Sequence, residues 1–570
     1  MTNSLVVTSH VAIVAIVTLL VTAGPSANDA RQESKPHHKH YREPVADKPA
    51  PSGAVAPRLQ NLGSHTFPVS CASERGQQFI NQGVNLAFGF NHAEAGRSFR
   101  EAARLDPKCA MAYWGQALVL GPNINVPMDP ENEAKAHELV RKALSLQDGL
   151  NERERALIGA LSKRYSGDPA DRSQADSDYA DAMAAVAKRF PSDLDIATLY
   201  AESMMDLRPW NYWMRDGTPY AGTEDIVALL ESVMARNPKH PGALHLYIHL
   251  IEPTNQPQRA EKAADALSGL MPGAGHIVHM PAHIYQRVGR YEDSADANVR
   301  AIAADEDYIS QCRAQGIYPM AYYPHNIHFL WFATTAQGRS QAAIDAANKA
   351  AEQISDQALA EMPLLAGFRV VPYWALARFG KWDEILALPE PPADLFLQGA
   401  WHYVRGLAQV SKGNLDAAEV ELDQVRKIAA DNQLEYTMFS PNSAAAILSI
   451  APQVLAGEIA AAKGEFDAAI AHLDRAVRLE DGLVYTEPTE WHYPPRLALG
   501  AVLLEAGRAG EAETVYWQNL NRYPNNGWAL FGLSEALRKQ RKFDEQELIA
   551  ARFKKAWRNA DVKLSASRFR

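Results

Sequence analysis

From Phe79 to the end of the chain, apolar residues return three and four positions apart, and short breaks separate one such block from the next. That spacing puts them on one face of successive α-helices, without the alternation that marks a half-buried strand. Ala is abundant and β-branched runs are scarce outside the N-terminus, which also favours helix. The pattern predicts an all-α chain of short helices packed side by side. Two stretches depart from it. Val11 to Ala23 (VAIVAIVTLLVTA) is continuously apolar, and the segment from about Asn28 to Ser64 is rich in Pro, charge and His and has no helical period.

The first stretch is too short to cross a bilayer comfortably, and small residues follow it at Gly24, Ser26 and Ala27. Residues 1–27 are therefore read as a secretory signal peptide, which makes the mature protein periplasmic or secreted. No Lys or Arg precedes the apolar run, so a membrane anchor that stays uncleaved is the alternative. No later apolar run is read as a membrane span. Residues 28–64 are read as disordered linker; His37, His38 and His40 within it have the composition to capture metal ions, but in such a linker they read as incidental.

A chain of 570 residues exceeds what one hydrophobic core normally covers, and an array that grows by stacking fits the uniform pattern better than several unlike domains. The formal net charge of −10 arises from 57 basic and 67 acidic residues spread along the chain. No basic stripe is present to follow a phosphate backbone, which argues against a nucleic-acid partner. Cys71, Cys109 and Cys312 are too few for a disulfide scaffold and enough for one bridge.

In NQGVNLAFGFNHAEAGRSFREAARLDPKCA, Gly83, Ala95, Phe99, Ala102 and Pro107 stand at the spacing of the tetratricopeptide signature positions. Ala418, Leu422 and Val425 repeat the register after Gly413, and Ala469, Leu473 and Ala476 repeat it after Gly464. Gly500, Ala512, Tyr516 and Pro524 repeat it again. The chain thus resembles the tetratricopeptide-repeat superfamily, in particular exported bacterial members. The resemblance implies an α-solenoid of antiparallel helix pairs: an N-terminal array over 65–350, with a divergent insert at about 121–180, and a C-terminal array over 366–570. It also implies that the starts of the first helices of adjacent repeats lie side by side, which makes Cys71 and Cys109 a candidate disulfide in an oxidising compartment. Cys312 is then left as a small buried hydrophobe.

The most informative segment holds NPKHPGALHLYIHLIEP followed by LMPGAGHIVHMPAHIYQRVGRYEDSADAN. Pro238 and Pro272, His245 and His279, and His249 and His283 are each separated by 34 residues, the tetratricopeptide period. In that register the resemblance implies that His245, His249, Glu252, His276, His279 and His283 all face the concave groove. Glu202 and Asp206 of the preceding repeat join them on the same argument. An offset of 49 relates Gly289 to Gly338, His276 to His325 and His279 to His328, so a third helix offers histidines too.

Side chains at i and i+3 or i+4 share one helix face and can converge on one ion. Neutral imidazole suits zinc, copper, iron or nickel, whereas calcium and magnesium prefer oxygen. The six groove residues are therefore candidate ligands for a divalent transition metal, with Glu202 or Asp206 orienting an imidazole, and Arg208 and Arg287 available to a carboxylate in the groove. Pro281 works against this arrangement, since a kink there would swing His276 and His279 off the shared face. The rival reading is a groove that takes a peptide, protein or small molecule without metal. The aromatic groups around Trp210, Tyr318 and Trp491 read as packing that also walls a pocket. No GxxxxGK, HExxH, GxSxG or CxxC motif is present, which removes the commonest enzyme classes and leaves a metal-dependent enzyme of unfamiliar type as a third reading.

Overall fold

The structure is a computed structural model that describes residues 50, 53–168, 170, 172–312, 318–436 and 442–570. The expected signal peptide and the His37–His40 tract lie outside the described residues. Among those described there is no β-strand, only the isolated bridges Asn123–Val126 and Trp213–Pro219. Helices follow one another as antiparallel pairs, beginning with Glu74–Phe88 and His92–Leu105 and ending with Gly527–Lys539 and Phe543–Ala556. The protein is a tetratricopeptide-type α-solenoid.

The signature residues explain the pairing. Phe99 is fully buried between helices Glu74–Phe88 and Ala110–Leu118, and a Cβ on Gly83 or Gly115 would come within 2.6 or 2.4 Å of its ring. Only hydrogen at both positions lets the ring sit between the helices. Tyr516 repeats the device near the C-terminus, where added Cβ atoms on Gly500 and Gly532 would meet its ring at 2.4 and 2.2 Å. Helix starts carry the expected caps: Ser73 accepts from the Gly76 N–H, and Asn151 and Glu154 form a capping box. Cys71 and Cys109 are joined as a disulfide with a Cα–Cα separation of 4.9 Å, and Cys312 is free and buried.

Among the described residues two large hydrophobic cores form, one drawn from Ala56 to Tyr322 and the other from Ile302 to Ile549, with a small cluster of Ala282, Ala297 and Phe329 apart from them. The change from one core to the other thus falls earlier than the 350–366 boundary read from the sequence. The disordered assignment of 28–64 fails over its last residues. Ala56, Leu59 and Leu62 are buried, and Gln82 anchors this strap by donating to the Pro57 carbonyl and accepting from the Leu59 N–H. The run Ala444–Ala462 has the length and hydropathy of a membrane span, contrary to expectation, but neighbouring helices bury 78% of it, as for a core helix. The 121–180 insert builds helices Glu133–Ser145, Glu152–Arg164 and part of Arg172–Arg189.

The two halves touch at several points, so the solenoid closes on itself. Inside the second core Trp528 Nε1 donates to the Thr335 carbonyl at 2.9 Å, and Asp561 accepts from the Ser340 and Gln341 N–H groups at 2.7 and 3.1 Å, while other contacts cross to the first core. Arg215 reaches the Asp481 carbonyl, and Arg558 pairs with Glu292. The loop at about 483–494, between helices Phe466–Gly482 and Pro495–Glu505, is carried by this closure over the histidine groove.

Candidate metal centre

Helix Pro241–Ile251 begins at His240, whose Nδ1 accepts from the Ala243 N–H, with Pro241 in the first-turn position that tolerates it. It presents His245 and His249 one turn apart, and Glu252 follows at its end. Helices Gly275–His279 and Pro281–Arg287 meet at Met280, whose own dihedrals are helical. Pro281 therefore occupies a first turn without a swing of the chain, and His276, His279 and His283 stay together. Gly275 is required here, because a Cβ would lie 1.9 Å from the Asp305 carboxylate. That carboxylate accepts from Tyr318 Oη at 2.7 Å and Asn326 Nδ2 at 2.6 Å, and the same Tyr318 hydroxyl accepts from the His276 N–H.

Five of the six candidate ligands, with His325, form two adjoining trios, His245, His249 and His276, then His279, His283 and His325, and Glu252, the sixth, lies between them. Within each trio one ligand nitrogen per ring lies within 4.8 Å of the others. His245 Nε2 and His276 Nε2 are 3.1 Å apart, and His279 Nε2 and His283 Nε2 are 2.6 Å apart. Each trio packs around one phenylalanine. Phe90 lies 4.4, 5.9 and 5.6 Å from the rings of His245, His249 and His276, and Phe329 lies 4.5, 4.6 and 4.9 Å from those of His279, His283 and His325.

The outer nitrogens are held by fixed acceptors. His245 Nδ1–H donates to the Phe88 carbonyl at 2.6 Å, and His279 Nδ1–H donates to Asn298 Oδ1 at 2.6 Å. Glu252 serves both trios, accepting from His249 Nδ1 at 2.9 Å and from His283 Nδ1 at 2.7 Å. Such bonds fix the tautomer and turn the Nε2 lone pair inward, as acceptors behind metal-bound imidazoles do. His249 Nε2 and His276 Nδ1 are buried with no hydrogen-bond partner.

Two further residues come from the far half of the chain. Glu487 accepts from His283 Nδ1 at 2.8 Å, and Tyr485 donates to Glu252 at 3.0 Å. Both belong to the 483–494 loop, through which the second array joins the site. Burial pushes the imidazoles of His245, His249, His276, His279 and His325 below their ordinary range, so they are neutral. His283 is the exception. Burial opposes its charge, but Glu252 and Glu487 outweigh that and raise it to about 10. Its Nε2 shares a hydrogen bond with His279 Nε2, and burial, with the Glu252 charge beside it, pushes the Glu487 carboxyl well above the usual carboxylate range.

The other sequence candidates go elsewhere. Asp206 pairs with Arg164 at 2.8 Å, and with Glu202 it lines a separate cavity of about 20 Å³ beside Phe88, His92 and Trp114. Neither hydrogen-bonds to a clustered histidine among the described residues. Arg208 is exposed and lies over Tyr220, away from the groove. Arg287 donates to the Thr254 carbonyl and lies 5.1 Å from the Tyr485 ring, bracing the loop instead of facing a ligand. His328 stacks on Trp331 and supplies no ligand atom to either trio. The insert does reach the site: Asn125 accepts from Trp210 Nε1 and donates to Tyr322 Oη, and those two rings flank His249 and His276.

No protein-family profile matches the chain, and no curated protein does. Among solved structures, human IFIT1 in a dimer with m7Gppp-AAAA is 14% identical, with 80% of this chain and 90% of that chain covered and a TM-score of 0.32. The Cut9–Hcn1 hetero-tetramer of the APC/C gives 14% identity, 81% and 76% coverage and a TM-score of 0.30. Yeast Tom70 gives 11% identity, 85% and 93% coverage and a TM-score of 0.28. The fold assignment rests on the helix pairing described above, and not on these similarities.

Proposed function

We propose that the protein is an exported tetratricopeptide-type scaffold whose groove binds a divalent transition metal through His245, His249 and His276. One observation carries the reading. His245, His249 and His276 are buried with one nitrogen of each within 4.8 Å of the others, and His249 Nε2 has no hydrogen-bond partner. Leaving such an atom unpaired in an interior costs about 1–3 kcal/mol, which coordination to a metal ion offsets. The all-imidazole set favours zinc, copper, iron or nickel. Three protein ligands leave a position open, as catalytic sites do, but the 483–494 loop above the histidines suits retention of an ion better than entry of a large substrate. The same loop occupies the groove that a peptide would need. The disulfide fits an oxidising compartment, in line with the apolar leader.

The test is metal analysis of untagged full-length protein, as purified and after dialysis with zinc, beside the His245→Ala/His276→Ala variant. Wild type is expected to retain metal and to melt at higher temperature with it, and the variant to lose both effects with its helical signal intact. A wild-type protein that takes up neither zinc nor copper, and gains no stability from them, would overturn the metal reading in favour of a small ligand.

A further inference from the structure

We infer that the groove holds two metal ions and not one: the trio His279, His283 and His325 is a second, separate site, and Glu252 joins it to the first. This rests on the metal reading above and extends it.

The two trios have the same construction. Each takes two histidines four residues apart on one helical run, and a third from another helix: His245 and His249 with His276, and His279 and His283 with His325. Each closes around one phenylalanine ring. Each contains a pair of Nε2 atoms in direct contact, at 3.1 Å in the first and 2.6 Å in the second. In each, one imidazole is aimed by a neutral oxygen, the Phe88 carbonyl or Asn298 Oδ1, and another by Glu252. The Nε2 contact joins two helices in the first trio and two residues of one run in the second, but the donors and the groups behind them are duplicated, as two ions require and one does not.

The carboxylate separates the alternatives. Glu252 directs one oxygen to His249 Nδ1 and the other to His283 Nδ1, so these two rings present their outer nitrogens to the carboxylate and their Nε2 atoms to opposite trios. A single ion at the carboxylate itself would have to take His249, Glu252, His283 and Glu487, whose ligand atoms also lie within 4.8 Å of one another. That arrangement would use only His249 and His283 of the six imidazoles and leave His245, His276, His279 and His325 with no part in binding. Two ions at the trios use all six imidazoles and keep Glu252 and Glu487 as the groups that orient them.

The experiment is zinc stoichiometry of full-length protein by mass spectrometry of the metal, with anomalous diffraction at the zinc edge from crystals of the loaded protein. Two zinc ions per chain are expected, with one anomalous peak inside each trio on either side of Glu252. His325→Ala should keep one ion and lose the peak beside Phe329; His276→Ala should keep one and lose the peak beside Phe90. One zinc per chain, abolished by either substitution, would replace the pair with one shared site and leave the metal reading standing. One peak at Glu252 and Glu487 would overturn the pair in favour of the carboxylate site. No zinc at all would remove both this inference and the reading it rests on. The wild-type peaks decide the matter even if a variant fails to fold.

Discussion

Phe90 has a φ of +57°, a region that a bulky residue seldom adopts, and Trp210 at +62° is another such residue. Both rings lie against the clustered histidines, so backbone strain sits where the chain bends to shape the site. Gly275 does the complementary task by leaving room for Asp305. Gly275→Ala is expected to destabilise the fold by about 1–3 kcal/mol in chemical denaturation, as overpacking does. Gly269→Ala, with nothing within 4 Å of the added carbon, should be near neutral in the same assay. A second prediction concerns His92, outside the cluster. Burial first, and the Arg164 charge second, lower its pKa from 6.5 to about 4. The unfolded chain therefore takes up a proton between pH 6.5 and 4 that the folded chain refuses, and stability must fall as pH falls through that window. Wild type should lose about 2–3 kcal/mol there relative to His92→Gln, read from denaturation midpoints at each pH. The clustered histidines were legible from the sequence because a fixed period places them in one register. Phe90 was not, since its part depends on a left-handed turn that FGFN does not announce.

At the scale of elements, helix Pro241–Ile251 and the run from Gly275 to Arg287 were readable because they share the 34-residue interval and the Pro238 and Pro272 stops. The loop at 483–494 was not. It has no period, and Glu487 meets a histidine 204 residues away, a pairing that depends on how the solenoid closes. The expectation for Glu202 and Asp206 failed for a related reason. Asp206 pairs with Arg164 from the insert, and Glu202 lines the same small cavity beside it, contacts that their own register does not announce. The loop is held at its base, where Asn442 donates to the Val484 carbonyl and accepts from the Val484 N–H. If Glu252 orients an imidazole in each trio, Glu252→Gln should weaken zinc binding about 10- to 100-fold with little change in helical content. Competition with a chelator of known affinity measures this. An unchanged affinity would reduce Glu252 to a structural hydrogen-bond acceptor.

On the scale of the whole molecule, repeat arrays often behave as chains of neighbours that unfold in segments. Two features here oppose that. The Cys71–Cys109 bridge closes a loop spanning 38 residues, and its removal by the Cys71→Ser/Cys109→Ser pair should cost about 2–4 kcal/mol in the first array. The second feature is the closure itself, which draws Tyr485 and Glu487 from one core to histidines of the other. If His283 binds a metal as proposed, its ring is stiffened while Nδ1 holds Glu487, and binding in the first half would then be felt in the second. Zinc should therefore slow amide hydrogen exchange at His245–His283 and also across Val484–Glu490, although the loop supplies no ligand to either trio. The effect on the loop should vanish in Glu487→Ala while protection of the histidine helices persists. Protection confined to the helices in wild type would mean that the two cores open independently, and that the loop covers the metal centre without being coupled to it.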